Sequence, residues 1–365
     1  MHVIVSRDAL LEVLGVAAGI AASRTPKDVL KCVRLTTVRD GLLVSATDLE
    51  IGLRGVIRQV EIKSSGDTLV PADKFVQIVR ESSDETLVLE TEEDKCHIRG
   101  GDSHFEIYGH DTQDFPPVPD LEGDPDLEIE AAALHELIER TGFSVAKENT
   151  RYAINGVLCE KQGKRVSLVA TDGRRLAWAS RSLEKEGKGD VDRIVPAKTL
   201  IVLQRILAST EGPVAVQLGE NQVIVRAGMY VVSSALVEGH FPQYRDVIPK
   251  DSDKKVELAT QEFLSGIRRA ALLTNEQSKG VRLRFAEGKL VLSSRAPEQG
   301  EATISLSIDY DGPLMEIGFN PVFLQEALRV VGTPTVVLEM KDANRPGILR
   351  AGESFLYVVM PVSLS

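Results

Sequence analysis

The chain has 365 residues, of which 43% are hydrophobic and 5% aromatic, and its formal net charge at pH 7 is −11. This length exceeds one ordinary hydrophobic core and predicts two or three domains. The sequence contains no apolar run of the roughly 18 residues that a membrane-spanning helix needs, so a membrane protein is not expected. A strongly acidic balance, taken alone, argues against a nucleic-acid partner.

The charge is unevenly distributed along the chain. Residues 1–124 hold 13 basic and 23 acidic residues and carry −10, whereas residues 125–252 are neutral and residues 253–365 carry −1. A basic face is therefore compatible with the acidic total. Cys32, Cys96 and Cys159 are odd in number and widely spaced, and the N-terminus lacks the features of a signal peptide. These features predict free thiols and a cytoplasmic location.

The predicted elements alternate between helices and groups of strands. Residues 2–6 alternate as a strand, and residues 7–20 have apolar residues at the three- and four-residue spacing of a helix. The same helical pattern returns at 133–146 and 261–273. Strand patterns such as 85–100 and 212–228, with hairpin turns between them, complete an α+β chain with six helix-plus-sheet half-units.

Markers that recur about every 124 residues indicate three internal repeats. Short predicted helices follow Pro71, Pro196 and Pro321, which are 125 residues apart, and a proline is tolerated in the first turn of a helix. "SATDLEIGLRG" (45–55) matches "LVATDGRRLA" (168–177), with Asp48 lying 124 residues before Asp172. The repeats predict domains at 1–124, 125–252 and 253–365.

The two repeated aspartates permit a structural and a catalytic interpretation. An aspartate that follows a threonine at the end of a strand commonly caps its own turn. The alternative is an enzyme, a phosphohydrolase or nucleotidyltransferase, that would use Asp48 and Asp172 with a metal ion. The repeat places the two carboxylates in separate domains, which favours the structural role.

The sequence offers no cluster typical of catalysis. Its six histidines form no metal-binding motif, and the phosphate-binding and nucleophile motifs of common enzymes are absent. His97 and His104 flank a predicted hairpin, where a solvated surface is expected. We therefore predict neither an enzyme nor a metal or cofactor, but a repeated scaffold.

Six segments resemble one known family. They are "RYAING" (151–156), "LVATDGRRLA" (168–177), "FPQYRDVIP" (241–249), "RAALLTNE" (269–276), "MEIGFNP" (315–321) and "YVVMPVSL" (357–364). Over essentially the whole chain, the sequence resembles the bacterial sliding clamps, the beta subunits of DNA polymerase III. The resemblance implies three DNA-clamp domains per chain, each with two helices and antiparallel sheets. Two chains are expected to form a closed homodimeric ring around duplex DNA and to act as a processivity factor.

Sliding requires attraction to phosphates without base recognition. Basic residues on or near the predicted helices fit that requirement, and the low aromatic content disfavours a base-stacking single-strand binder. The expected DNA-facing residues are Arg24, Lys74, Arg80, Lys147, Lys198, Arg205, Arg268 and Arg269. Arg140 and Arg329 belong to the same basic set on the helices.

The resemblance also implies a pocket between the second and third domains that binds a short apolar motif of partner proteins. The expected partners are the polymerase alpha subunit, the clamp-loader delta subunit and other proteins that carry the motif. The implied pocket residues are Ile154, Thr171, Gly173, Arg175, Leu176, Pro242, Val247, Asn344, Pro346, Val358, Val359, Met360, Pro361 and Val362. Arg174, Asp246 and Ser363 depart from residues common in the family, which affects the expected peptide preference.

The dimer interface is likewise implied by the resemblance. Phe105 and Ile107 of one chain are expected to pack against Leu272 and Leu273 of the other. The charged residues expected there are Lys95, Arg99, Glu298 and Glu301.

The sequence also leaves open a second alternative, a protein-only scaffold that never holds DNA. Retention on circular DNA would distinguish a clamp from such a scaffold.

Overall fold

The computed structural model describes residues 1–22, 24–147, 153–274, 280–297 and 299–363. The chain divides into two compact units. One unit comprises Met1–His135, Leu183–Val191 and Lys198–Leu236, and the other comprises Glu136–Ser182, Asp192–Ala197 and Val237–Ser365. Each unit therefore holds one terminal repeat and part of the middle repeat.

Six α-helices lie in the described residues, two in each repeat. They are α1 (Arg7–Ile20), α2 (Ala72–Glu81), α3 (Ala131–Gly142), α4 (Ala197–Leu207), α5 (Thr260–Ala270) and α6 (Pro321–Val330). The prediction of a proline at three helix starts is confirmed, because Pro71 precedes α2, Pro196 precedes α4 and Pro321 begins α6. At α6 the side chain of Asn320 accepts a hydrogen bond from the amide of Val322 (3.0 Å), which caps the first turn.

The strands are short, and the pairs that join the repeats, β4 with β17 and β13 with β25, are antiparallel. In the first half of the chain they are β1 (His2–Ser6), β2 (Cys32–Val38), β3 (Gly41–Thr47), β4 (Ile51–Ile57), β5 (Val60–Ser64), β6 (Asp67–Pro71), β7 (Thr86–Glu92), β8 (Lys95–Arg99), β9 (His104–Tyr108), β10 (Leu127–Glu130), β11 (Gly156–Gln162), β12 (Arg165–Thr171) and β13 (Arg175–Ser182). In the second half they are β14 (Val191–Pro196), β15 (Pro213–Leu218), β16 (Gln222–Ala227), β17 (Tyr230–Ala235), β18 (Lys254–Ala259), β19 (Val281–Ala286), β20 (Lys289–Ala296), β21 (Gly300–Ser307), β22 (Met315–Phe319), β23 (Thr335–Met340), β24 (Gly347–Ala351) and β25 (Phe355–Val359).

The first unit contains one large and one small sheet. The large sheet has the order β10-β15-β16-β17-β4-β3-β2-β6, and the small sheet has the order β5-β1-β7-β8-β9. Strand β17 of the middle repeat pairs with β4 of the first repeat, so the large sheet joins the two repeats. Helix α1 packs on β3 and β4 and buries Leu10, Val13 and Leu14 in the core.

The second unit follows the same plan. Its large sheet has the order β14-β11-β12-β13-β25-β24-β23-β18, and its small sheet has the order β21-β20-β19-β22. Here β13 of the middle repeat pairs with β25 of the last repeat. Helix α5 lies against β20 and β21 and buries Phe263 and Ile267. The α+β class and the repeated plan expected from the sequence are confirmed.

Both repeated aspartates cap a turn, as the structural interpretation predicts. Oδ1 of Asp48 accepts hydrogen bonds from the amides of Glu50 (3.0 Å) and Ile51 (2.7 Å). Oδ1 of Asp172 accepts equivalent bonds from the amides two and three residues further on, at 2.9 and 3.1 Å. Gly173 has φ +84°, and Leu49 at the matching position has φ +80°. This left-handed conformation suits glycine and is uncommon for leucine.

Several local expectations need correction. Helix α3 ends at Gly142 rather than at residue 146, because glycine has a low helix propensity. Arg140 is buried, because its guanidinium pairs with Glu136 (2.6 Å) and donates to the carbonyl of Val331 (2.7 Å). His97 is also buried, because side chains of the neighbouring strand β9 pack beside its ring: Glu106 stands opposite it, and its Nδ1 lies 3.1 Å from Nε2 of His104.

Candidate functional site

An apolar surface in the second unit collects the main pocket residues predicted from the sequence. Leu176 of β13 stands opposite Val358 of β25 on one rung of the antiparallel ladder. Both side chains belong to a buried cluster on one face of the large sheet. Neighbouring residues on a strand point to opposite faces, whereas residues two apart share a face. Leu176 and Val358 therefore form the floor of this surface, and Ile154 is buried in the same unit.

A short linker segment lies on this face of the sheet and is held by one carboxylate. The hydroxyl of Tyr244 donates to Oε2 of Glu160 (2.6 Å), and Nη2 of Arg245 binds both oxygens of the same group at 3.0 and 3.1 Å. Burial, followed by the hydrogen bond to Glu160, raises the pKa of Tyr244 and keeps it neutral. The anchored one-turn helix Tyr244–Val247 leaves the side chain of Val247 57% exposed.

The end of the chain forms the opposite border of this surface. The amide of Met360 donates to the carbonyl of Arg174 (2.9 Å), and the amide of Val362 donates to the carbonyl of Gly318 (2.9 Å). These bonds fix the backbone after β25 while the side chain of Met360 stays 45% exposed. Pro242, Pro346, Pro361 and Val362 are partly exposed, and Gly173 and Asn344 are exposed. An apolar side chain of a partner can therefore reach Val247 and Met360 without unfolding the chain.

Arg175 and Val359 occupy the other face of the sheet. They share one rung of the ladder and are both buried, one residue away from Leu176 and Val358. The Arg175 guanidinium donates to Asp172 (3.0 Å), to the carbonyl of Phe143 (2.8 Å) and to Glu326. Thr171 stands opposite Leu176 in the ladder and shares its face, where it is buried and its hydroxyl donates to the carbonyl of Arg175 (2.6 Å). These contacts make Arg175 a positioning residue for the turn that carries Gly173.

Electrostatics agree with this structural role of Arg175. Burial alone would lower the pKa of the guanidinium, but the hydrogen bond to Glu326 holds that pKa above its ordinary value. The guanidinium carbon also lies 4.4 Å from the centre of the Phe323 ring, which is a cation–π distance. Phe323 and Glu326 are not recognisable from the sequence, because they lie about 150 residues from Arg175 and carry no motif that links them to it.

The predicted DNA-facing residues are exposed in both units. In the first unit they are Arg24, Lys74, Arg80, Lys198 and Arg205, and in the second unit Lys147, Arg268 and Arg269. Lys198 pairs with Asp48, and Arg205 donates to the carbonyl of Gly15 (2.8 Å). Arg268 and Arg269 occupy the last turn of α5, where cations interact favourably with the helix dipole. Exposed Arg329 ends α6 in the same way.

Each unit presents an edge strand at the predicted dimer residues. In the first unit β9 ends its sheet, with Phe105 39% exposed and Ile107 partly exposed. In the second unit β21 ends its sheet, and Leu272 is 76% exposed beside the partly buried Leu273. Unpaired edges of this kind are templates for pairing with another chain.

The charged residues predicted for the interface form pairs within their own unit. Lys95 pairs with Glu106 (2.9 Å), Arg99 with Glu90 (3.3 Å) and Glu301 with Arg295 (3.1 Å). Glu298 lies outside the described residues. Any pairing across an interface would therefore compete with these ion pairs.

The described residues contain neither a metal-binding cluster nor a membrane-spanning helix. Among the described residues, no group of three or more His, Cys, Asp or Glu side chains is arranged to hold a metal ion. No helix in the described part of the chain is long and apolar enough to cross a membrane.

Repeated α+β domains, large sheets that join neighbouring repeats and basic helices define a protein of the DNA-clamp class. Comparison with known proteins identifies the family. The models of the N-terminal, central and C-terminal domains of the DNA polymerase III beta subunit match residues 1–119, 128–243 and 245–363. The chain therefore belongs to the DNA polymerase III beta subunit family, the beta sliding clamps.

Individual relatives agree over their whole length. The beta sliding clamp of Pseudomonas putida is 36% identical over 369 residues, with all of both chains covered. The crystal structure of the sliding clamp from Pseudomonas aeruginosa bound to griselimycin is 34% identical, with a TM-score of 0.93 and all of both chains covered. The sliding clamp structure from Bacillus subtilis is 26% identical, with a TM-score of 0.95 and the same full coverage. The chain is accordingly a processivity clamp and not an enzyme.

Proposed function

We propose that two copies of this chain close into a ring that encircles duplex DNA and slides on it without recognising its sequence. The observation that carries the proposal is the presence of two edge strands, β9 and β21, each accompanied by exposed apolar side chains. Phe105 and Ile107 beside one edge would pack against Leu272 and Leu273 beside the other edge of the partner chain.

The basic residues supply the attraction to DNA in this proposal. Arg24, Lys74, Arg80, Lys147, Lys198, Arg205, Arg268 and Arg269 would face the DNA and contact phosphates. Contacts to phosphates are independent of base sequence and weaken with salt, which suits sliding. The ion pair with Asp48 reduces the effective charge of Lys198, so the other members of the set contribute more of the attraction.

The apolar surface at Leu176, Val358, Val247 and Met360 is the proposed partner pocket. A short segment with bulky apolar residues would insert its side chains between Val247 and Met360, above the buried floor. The proposed partners are the polymerase alpha subunit, the clamp-loader delta subunit and other proteins with the same motif.

The proposed location is the cytoplasm, which is consistent with three free cysteines. The proposed domains are 1–124, 125–252 and 253–365.

Retention on circular DNA tests the ring. The protein is loaded with a bacterial clamp loader and ATP onto a nicked plasmid, separated by gel filtration and then treated with a restriction enzyme that cuts once. We expect the clamp to remain on the closed circle at high salt and to leave after linearisation. A protein that stays on linear DNA, or leaves the circle at the same rate, is not a sliding ring.

A further inference from the structure

A groove of about 570 Å³ lies in the second unit beside the proposed pocket. Trp178 stands opposite Leu356 in the ladder, two residues along each strand from the pair Leu176 and Val358. Because side chains two apart on a strand share a face, the groove begins where the pocket floor ends. One wall is formed by the linker residues Tyr244, Arg245 and Ile248.

Three arginines lie on the rim of this groove. Arg165 is exposed and forms no ion pair with any described residue. Arg350 uses Nε to bind Glu339 (3.0 Å), which leaves its two terminal nitrogens for other acceptors. Arg245 binds Glu160 through Nη2 alone. With Glu353 also on the rim, three guanidinium groups and one exposed carboxylate surround a half-buried indole.

We propose that this groove binds an acidic segment that flanks the apolar motif of a partner protein. The proposal rests on the partner pocket proposed above. An extended peptide advances about 3.3 Å per residue, so two residues beyond an anchor on Leu176 reach Trp178, about 7 Å away. Carboxylates at those positions would meet Arg165 and Arg350, while aliphatic carbons cover the indole.

The related position in the first unit lacks these features. Arg54 occupies the position of Trp178 in the first repeat, and Arg226 occupies that of Arg350. Both arginines bind Asp120, at 3.3 and 3.1 Å, which neutralises much of their charge. In the second unit Arg350 and Arg245 are likewise paired, with Glu339 and Glu160, so the groove is distinguished by its indole and by Arg165, which has no ion pair among the described residues.

Three peptides test the proposal on the full-length protein. One contains only the Leu/Phe-bearing clamp-binding motif, the second adds a short run of glutamates at either end, and the third adds glutamines in the same places. Fluorescence anisotropy gives their affinities. The emission of Trp178, the single tryptophan of the chain, reports occupancy of the groove.

At low salt the glutamate peptide is expected to bind about two- to fivefold tighter than the glutamine peptide, the scale of an exposed ion pair. Arg165→Glu should abolish that difference without changing the affinity of the unextended motif. Lys164→Glu is the matched control, because Lys164 is the exposed neighbour of Arg165 and does not line the groove. It should retain the difference.

The remaining outcomes separate the groove from the pocket. If the unextended motif binds but both extensions bind equally and leave the Trp178 emission unchanged, the groove proposal is overturned and the pocket stands. If no peptide binds, both proposals fall. If oligothymidylate shifts the Trp178 emission and displaces the glutamate extension, the groove is a nucleic-acid site instead.

Discussion

The guanidinium carbon of Arg175 lies 4.4 Å from the centre of the Phe323 ring, although 147 residues separate the two positions in the chain. Arg175 belongs to the middle repeat and Phe323 to the last one. The same guanidinium also binds Asp172 and Glu326. This contact joins the turn beside the pocket to helix α6 within the second unit.

Arg175→Ala should therefore destabilise the second unit strongly. The change leaves the carboxylates of Asp172 and Glu326 without their cation, and because both are partly exposed we expect a loss of about 1.5–3 kcal/mol, the range for a hydrogen bond to a charged group. The neighbouring Arg174 is exposed, and Arg174→Ala should alter the free energy of unfolding by no more than about 0.5 kcal/mol. Urea denaturation followed by circular dichroism compares the two variants. Equal stabilities would mean that Arg175 is not a structural centre.

The three cysteines should be unreactive in the folded protein. Burial raises the pKa of Cys32 to about 11 and those of Cys96 and Cys159 to about 12. Only the thiolate reacts with iodoacetamide, so labelling at pH 8 should be slow until the chain unfolds. Mass spectrometry measures the labelling, and the thiol introduced by Ser182→Cys at an exposed position should react rapidly. Rapid native labelling of any of the three cysteines would contradict their burial.

The same shifts predict an effect of alkaline pH on stability. A raised pKa means that the folded state binds more protons than the unfolded state above the ordinary thiol pKa of 9.0. The stabilising contribution of the protonated thiols is thus complete below pH 9 and is lost as the pH rises toward 12. Replacing Cys159 with Ala should reduce this alkaline loss, as measured by urea denaturation at several pH values.

The sequence predicted much of the fold because its markers depend on local chemistry. Asp48 and Asp172 cap their turns by accepting hydrogen bonds from amides two and three residues away. A cap made this locally can be recognised from a short stretch of sequence. Helix α1 begins and ends at the predicted residues because its apolar spacing is regular. The proline before α2 likewise marks a helix start through its own backbone geometry.

The candidate site was predicted less completely because its contacts are distant in sequence. Strand alternation already separates Leu176 from Arg175, yet the resemblance placed both in one pocket wall. Phe323 and Glu326 of α6, which contact Arg175, belong to no sequence motif that would link them to it. The burial of Arg140 by Glu136 and Val331 likewise arises from packing that periodicity does not encode.

Reversing three basic residues on the helices should impair loading onto DNA. The variant Arg205→Glu, Arg268→Glu, Arg269→Glu is expected to fold but to be retained poorly on nicked circles, because it loses phosphate contacts. Each lost contact reduces the slope of the logarithm of the binding constant against the logarithm of salt concentration by about 0.9 in magnitude. The control reverses exposed Lys164, Lys185 and Lys250 and changes the net charge equally. If both variants are retained equally poorly, the net charge of the protein, and not the position of the basic residues, determines retention on the circle.

A carboxylate at the proposed dimer seam should dissociate the ring. Leu272→Asp would bury an unpaired charge between two apolar surfaces, at a cost of several kcal/mol in dimer stability. Leu314→Asp is the matched control, because Leu314 is also a well-exposed leucine of the second unit and lies away from the predicted interface. Sedimentation velocity should show monomer for the first variant and dimer for the second. A dimeric Leu272→Asp variant would remove Leu272 from the seam.

Truncating the exposed methionine at the end of the chain should weaken partner binding without unfolding the pocket. The side chain of Met360 is 45% exposed, whereas its backbone amide is held by the carbonyl of Arg174 (2.9 Å), so Met360→Ala removes an anchor surface and leaves the backbone in place. We expect the affinity for the Leu/Phe-bearing motif to fall by about 1–3 kcal/mol, the scale of one buried anchor. Met229→Ala provides the control, because Met229 is 43% exposed in the first unit. Isothermal titration calorimetry on dimers of both variants decides the matter, and equal affinities would place the partner pocket elsewhere on the chain.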